Sequence, residues 1–188
     1  MNPERRQLLA GATCLGGAAA LGQALPVLAQ PAPNATSPAA QEVKAPPLPV
    51  VGTPLALPDV TLFDGSVFRP AQAEGRVLVL YWWSSTCPFC ALQSPEMQKL
   101  WEAQRTRPRG LLLLTLSIDR KPAEATAYLQ KKGYSFPAGW VTPEIQRVLP
   151  KPKGLPITLV RGRDGRVLQA ERGQLFPEDV EQLARWVA

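Results

Sequence analysis

Residues 87–90 read Cys-Pro-Phe-Cys, and two thiols at this spacing can do chemistry together. Cysteines at positions i and i+3 of a helix's first turn bring their sulfurs to bonding distance without large backbone movement. The first sulfur then lies where unsatisfied backbone N–H groups and the helix dipole favour negative charge. That makes Cys87 the attacking group, since the thiolate is the nucleophilic form. Cys90, one turn further in, is placed to resolve a mixed disulfide by displacing whatever Cys87 has captured. The dipole supplies about 0.3–1 kcal/mol, and about 2 in favourable geometry. At ~1.36 kcal/mol per unit, this lowers the thiol pKa by roughly one unit. A strongly oxidising dithiol needs a far deeper depression, to about 3.5. Pro88 and Phe89 put no positive charge between the thiols, so a reductant is expected in preference to an oxidant.

Three less active readings compete. A zinc half-site needs two further N or S ligands, but the chain has no histidine and its third cysteine, Cys14, is distant in sequence. A structural disulfide over so short a loop would restrain the unfolded chain little. Two inert buried thiols would not need Pro88 to pre-set a helix start. The lack of histidine also excludes Cys–His proteolysis and Ser–His–Asp hydrolysis for this chain acting alone. Net charge is +6, and the densest basic run, "RTRPRG" at 105–110, has no interleaved aromatics. It reads as a solvated loop, and no nucleic-acid partner is expected.

The elements that must hold the pair are legible around it. "RVLVLYWW" (76–83) is a near-continuous apolar run, as in a strand covered on both faces. A helix is expected from about Pro88 to Arg105, with Leu92, Met97, Leu100 and Trp101 as its apolar face and a kink at Pro95. "GLLLLTLSID" (110–119) is a second buried strand, and "KPAEATAYLQKKG" a helix with Pro122 in its first turn and Gly133 as C-cap. "TPEIQRVL" fits a short helix. "ITLVRGRDGRVLQAERG" gives two strands hinged at Asp164-Gly165, and "FPEDVEQLARWV" a terminal helix. Ahead of them, "DVTLFDGSVF" forms an N-terminal β-hairpin extension turning at Asp64-Gly65. The predicted class is α/β, a mixed β-sheet flanked by helices. Its natural place for chemistry is the carboxyl end of the first buried strand, where the two cysteines fall.

Residues 1–29 have a charged start, an uncharged Leu/Ala/Gly stretch and small residues ending at Val27-Leu28-Ala29. This is the pattern of an export signal, and Arg5-Arg6 resembles the twin-arginine type. The segment is either cleaved or kept as an N-terminal membrane anchor; its mild hydrophobicity and Pro26 favour cleavage. Cys14 reads as a passenger within it. Residues 30–54, rich in proline and alanine, read as a semi-extended linker, and 55–188 as the globular domain. Export would place the domain in a periplasmic, oxidising setting where Cys87 and Cys90 can pair.

From about residue 55 onward the chain resembles the thioredoxin fold in its TlpA/ResA-like branch, which includes the cytochrome c maturation reductant CcmG (DsbE). The resemblance is carried by "LPDVTLFDG", "VLVLYWWSSTCPFCALQSP" and "GLPITLVRGRDGRV". It implies that Gly154-Leu155-Pro156 forms a loop facing the dithiol, with Pro156 cis and Leu155 offering backbone hydrogen bonds to an incoming chain. It also implies a substrate-docking surface of Trp83, Pro88, Phe89, Leu155 and Pro156. Trp83 stands where the family has an aromatic four residues before the first cysteine. At two family positions for an ionisable or polar group this chain departs: Tyr81 stands six residues before Cys87, and Gln93 three after Cys90. Neither ionises usefully near neutral pH, so a water or a base from another segment must serve Cys90.

The expected function is therefore that of an exported thiol:disulfide oxidoreductase acting on protein thiols and disulfides. A membrane or periplasmic redox partner would recharge it, and no metal or organic cofactor is implied. A non-catalytic binding module using the same groove, and a thiol peroxidase on a related variant of the fold, are the alternatives.

Overall fold

The computed structural model describes residues 44–187. The expected export segment, Cys14 and the first part of the linker lie outside the described residues.

A hairpin of β1 (Val60–Thr61) and β2 (Val67–Phe68) precedes a five-stranded sheet. The sheet comprises β3 (Leu78–Trp83), β4 (Leu112–Ser117), β5 (Ala138–Trp140), β6 (Ile157–Arg161) and β7 (Val167–Arg172), in the spatial order β5-β4-β3-β6-β7. β3, β4 and β5 run parallel, while β6 and β7 are antiparallel to their neighbours. The helices are α1 (Pro88–Gln104), α2 (Pro122–Lys132), α3 (Pro143–Val148) and α4 (Pro177–Gln182), with a 3-10 turn at Leu183–Val187. All four α-helices begin on proline, whose missing N–H costs nothing where no intrahelical partner exists. α2 ends at Gly133, whose φ of 67° is the left-handed cap that glycine adopts without penalty.

β3 is buried along its whole length. Its alternation of faces splits the core in two. Val79, Tyr81 and Trp83 join Cys90, Met97 and Leu100 of α1 with Ala125, Leu129, Val180 and Leu183. Leu78, Leu80 and Trp82 join Val60, Phe68, Ile145 and Leu149 on the opposite face. Both faces are covered by helix or hairpin, which is why β3 reads as a continuous apolar run.

Leu92 and the strand after α2 depart from the expected pattern. Leu92 is 60% exposed and not part of the α1 apolar face. The 3.6-residue period turns Gln93, Ser94, Gln98 and Gln104 inward beside Met97 and Leu100, so buried polar side chains hide the pattern. α1 runs as one continuous helix from Pro88 to Gln104 with Pro95 inside it. β5, a strand of Ala-Gly-Trp, was not expected, because three residues carry too little periodicity to show.

Residues ahead of Leu55 also bond to the domain. The Gly52 and Leu55 amides donate to Val167 and Gly165 carbonyls at 2.8 and 2.9 Å, and Val167 N–H donates to Thr53. Lys153 N–H donates to Pro46. The end of the linker thus covers the start of edge strand β7, satisfying backbone groups that would otherwise be open to pairing.

The hairpin packs on β5 at Gly139. A β-carbon there would lie 2.5 Å from Val60 Cγ1 and 2.9 Å from the Thr61 carbonyl oxygen. Gly139→Ala is expected to push the hairpin off the sheet and lower stability by about 1–3 kcal/mol, read as a lower urea midpoint with an unchanged slope.

Candidate active site

Register fixes which loops meet. Trp82 pairs with Ile157, so the segment after β3 and the segment before β6 emerge at the same end of the sheet. The first carries Ser84 to Cys87, the second Gly154-Leu155-Pro156. Cys87 and Leu155 pack as partly buried residues against the same core cluster.

Cys87 is the N-cap of α1, with extended backbone (φ −84°, ψ 115°). Its Sγ accepts the Cys90 N–H at 3.2 Å, so the sulfur occupies the place a capping oxygen takes at other helix starts. Cys87 and Cys90 are joined as a disulfide with Cα atoms 5.2 Å apart. Cys87 is half-buried while Cys90 is completely buried. The two cysteines thus differ in exposure.

Around the pair, Pro88 is exposed and Phe89 is 56% exposed, projecting an aromatic ring beside Cys87. The Leu155-Pro156 peptide bond is cis. Lys151 Nζ braces the loop by donating to the Pro152 and Gly154 carbonyls at 2.7 and 2.9 Å. Gly173 N–H donates to the Pro156 carbonyl at 2.9 Å, tying the β7–α4 connection to the same loop.

Trp83 is elsewhere. It was expected on the docking surface, yet its side chain is fully buried. Its Nε1 donates to Thr115 Oγ1 at 3.2 Å, and its ring packs on Tyr128 and Phe136 at centroid distances of 5.5 and 6.4 Å. The reason is its place as the last residue of β3: pleat alternation turns it down toward α1 and α2. Trp83 therefore supports the site from beneath.

The two unusual positions are both structural in character. The Tyr81 hydroxyl lies 3.3 Å from the Cys90 carbonyl and 3.1 Å from Ser94 Oγ, and burial pushes its phenol well above the ordinary tyrosine range. It is no base near neutral pH. Gln93 Nε2 donates to Thr158 Oγ1 and its Oε1 accepts the Leu175 N–H, both at 2.9 Å. An amide supplies both the donor and the acceptor needed to pin α1 to β6 and to the segment before α4; a carboxylate could not donate.

Burial also raises the phenols of Tyr128 and Tyr134, the latter to about 12. The unfolded chain ionises its tyrosines near about 10, so the stability that neutral phenols contribute is whole below that pH and is lost as pH rises toward the folded values. Melting temperature is expected to fall more steeply above about pH 10 in the parent than in a Tyr81→Phe variant.

Asp119 adds a site residue that no motif in the sequence marks. It lies two residues beyond β4, it is buried, and its carboxylate accepts hydrogen bonds from Ser84 and Ser85 in the segment leading to Cys87. The available signal was a lone acid ending an apolar strand, "LLLLTLSID", beside a Ser-Ser-Thr run.

A parallel-antiparallel five-stranded sheet, a disulfide at the start of the helix after its central strand, and a facing cis-proline loop define a thioredoxin-fold dithiol protein. Residues 53–142 match the model of the AhpC/TSA family, and the fold is thioredoxin-like. It is 21% identical over 123 residues to the thiol-disulfide oxidoreductase ResA of Halalkalibacterium halodurans, an alignment covering 63% of this chain and 66% of that one. Among solved structures it is similar to a thiol:disulfide interchange protein of the thioredoxin family from Chlorobium tepidum TLS. The TM-score there is 0.66 at 19% identity, over 74% of this chain and 99% of that one. A putative thiol:disulfide interchange protein DsbE from Chlorobium tepidum gives 0.57 at 24% identity, over 73% and 96%.

Proposed function

We propose that this chain is an exported thiol:disulfide oxidoreductase that reduces disulfides in protein substrates. The observation that carries the reading is the asymmetry of the pair: a half-buried Cys87 capping α1, bonded to a Cys90 that solvent does not reach. In the reduced protein the Cys87 thiolate attacks one sulfur of the substrate disulfide, forming a mixed disulfide and expelling one substrate thiolate. The Cys90 thiolate then attacks Cys87 Sγ, expels the second substrate thiolate and leaves the Cys87–Cys90 disulfide. Two electrons pass to the substrate, whose two thiolates take up the protons released by the cysteines. An external dithiol partner returns the pair to its reduced form.

Pro88, Phe89, Leu155 and Pro156 serve as the docking surface, with Trp83 beneath it. The apolar exposure of Phe89 suits contact with a polypeptide chain. Export rests on the pattern of residues 1–29, and the reductant direction on the absence of positive charge between the cysteines. Among the described residues no helix is long and apolar enough to cross a membrane.

The test is equilibration with glutathione buffers alongside insulin-disulfide reduction. The expected result is turnover with a potential more negative than about −180 mV. A potential near about −120 mV would make the protein an oxidant. A disulfide that does not exchange at all would make it a binding module, and faster reaction of Cys87 with peroxide than with disulfides would make it a peroxidase.

A further inference from the structure

Asp119 is the only buried carboxylate among the described residues. Its location follows from register: β4 runs parallel to β3 with Ser117 opposite Trp83, and Ile118 N–H donates to the Trp83 carbonyl at 2.9 Å. The residue that follows therefore lies beside the segment leaving β3, which is Ser84-Ser85-Thr86. Its own backbone is fastened from the far side, where Trp140 Nε1 donates to the Asp119 carbonyl at 2.7 Å.

Every group bonded to the carboxylate is a donor. Oδ1 accepts from Ser84 Oγ at 2.7 Å, Ser85 N–H at 3.0 Å and Ser85 Oγ at 2.9 Å. Oδ2 accepts from Ser85 N–H at 3.2 Å and from Ser117 Oγ at 2.9 Å. A carboxylate suits this arrangement because it only accepts; an amide would turn a donor toward other donors.

The arrangement also sets the direction of the neighbouring hydroxyls. Ser84 has one hydroxyl hydrogen, and it goes to Asp119. Its oxygen is left to accept from the Thr86 N–H at 3.3 Å and from the Thr86 hydroxyl at 3.0 Å. The Ser84 carbonyl meanwhile accepts the Cys87 N–H at 3.1 Å. A continuous set of bonds thus runs from one buried charge to the backbone of the attacking residue.

We propose that Asp119 is a positioning residue: through Ser84 and Ser85 it holds the segment that places Cys87 at the start of α1. In the oxidised protein the Cys87–Cys90 bond ties Cys87 as well. In the reduced protein that covalent tie is gone, and the Asp119 bonds are what keep the Cys87 sulfur over the first-turn amides. The inference rests on the reading of Cys87 as the nucleophile, and its effect falls on the reactivity of the reduced form and not on substrate docking.

The experiment compares Asp119→Asn, Ser84→Ala and the double variant in the full chain. Reduced Cys87 is alkylated with iodoacetamide and followed by peptide mass mapping, a readout that needs no turnover. Turnover of bis(2-hydroxyethyl) disulfide, small and neutral, is measured in parallel. Each single variant is expected to slow Cys87 alkylation by about tenfold, the scale of losing a hydrogen bond to a charged group. It should lower kcat similarly while KM stays within about twofold. The double variant should be no slower than Asp119→Asn alone, because the two act as one unit. Alkylation of Cys87 within twofold of the parent in the folded variants overturns the proposal, as do losses that multiply in the double variant. Ser84→Ala removes a single hydroxyl and decides the matter if Asp119→Asn does not fold. Should the parent fail to turn over disulfides while the alkylation losses appear, the proposed function falls and this inference stands.

Discussion

Cys87→Ser is expected to reduce disulfide turnover to the uncatalysed background while leaving the fold intact. The two halves of that expectation have separate causes. Serine preserves the cap, because an oxygen can accept the Cys90 N–H that Sγ accepts at 3.2 Å, and serine is among the preferred residues at a helix N-cap. The lost Cys87–Cys90 bond closed a loop across only three residues, so its removal relaxes the unfolded chain little. Chemistry is lost because a hydroxyl is a poor nucleophile unless an adjacent base activates it. The chain contains no histidine, and Tyr81 is held neutral by burial. The check is insulin-disulfide reduction beside a thermal melt. A folded Cys87→Ser protein that still turns over would remove Cys87 from the mechanism.

Cys90→Ala should separate the two halves of the reaction. Attack by Cys87 needs only its own sulfur and the helix start, so the variant is expected to form a mixed disulfide with each substrate it meets. Release needs the second sulfur, which in the parent is bonded to the first and sealed from solvent. Without it the covalent complex persists, and turnover stops after one event per molecule. Alanine is preferred to serine at this completely buried position because a hydroxyl without a partner costs about 1–3 kcal/mol. Intact-mass measurement after mixing with a disulfide-bonded substrate reads the adduct directly, and the same variant recovered from cells identifies the natural partners. Continued multiple turnover would show that Cys90 does not resolve the intermediate.

Much of this architecture could be read from the chain, for identifiable reasons. β3 announces itself because both of its faces are covered, which leaves an apolar run with no polar interruption. The helix starts are marked by prolines, and the hairpin turns by Asp64-Gly65 and Asp164-Gly165, where the glycines adopt φ of 85° and 80°. These are local signals, each complete within a few residues.

What could not be read depends on partners distant in sequence. Leu92 looks like core until the inward face of α1 is seen to carry Gln93 and Gln98, whose bonds reach Thr158, Leu175 and Ser135. Trp83 looks like docking surface until β3 alternation buries it against Tyr128. β5 is too short to have a period of its own and exists through its pairing with β4. The end of the linker joins the domain only because the β7 edge is open beside it.

The chain by itself determined that two thiols would stand at the first turn of a helix following a buried strand, since spacing, proline and apolar run all lie within one stretch. Only the tertiary structure decided which charge steadies them. Asp119 is thirty-odd residues from Cys87 along the chain, and the parallel register of β4 on β3 alone brings its carboxylate to Ser84 and Ser85. A buried charge finds its donors through space, and linear order does not record that distance.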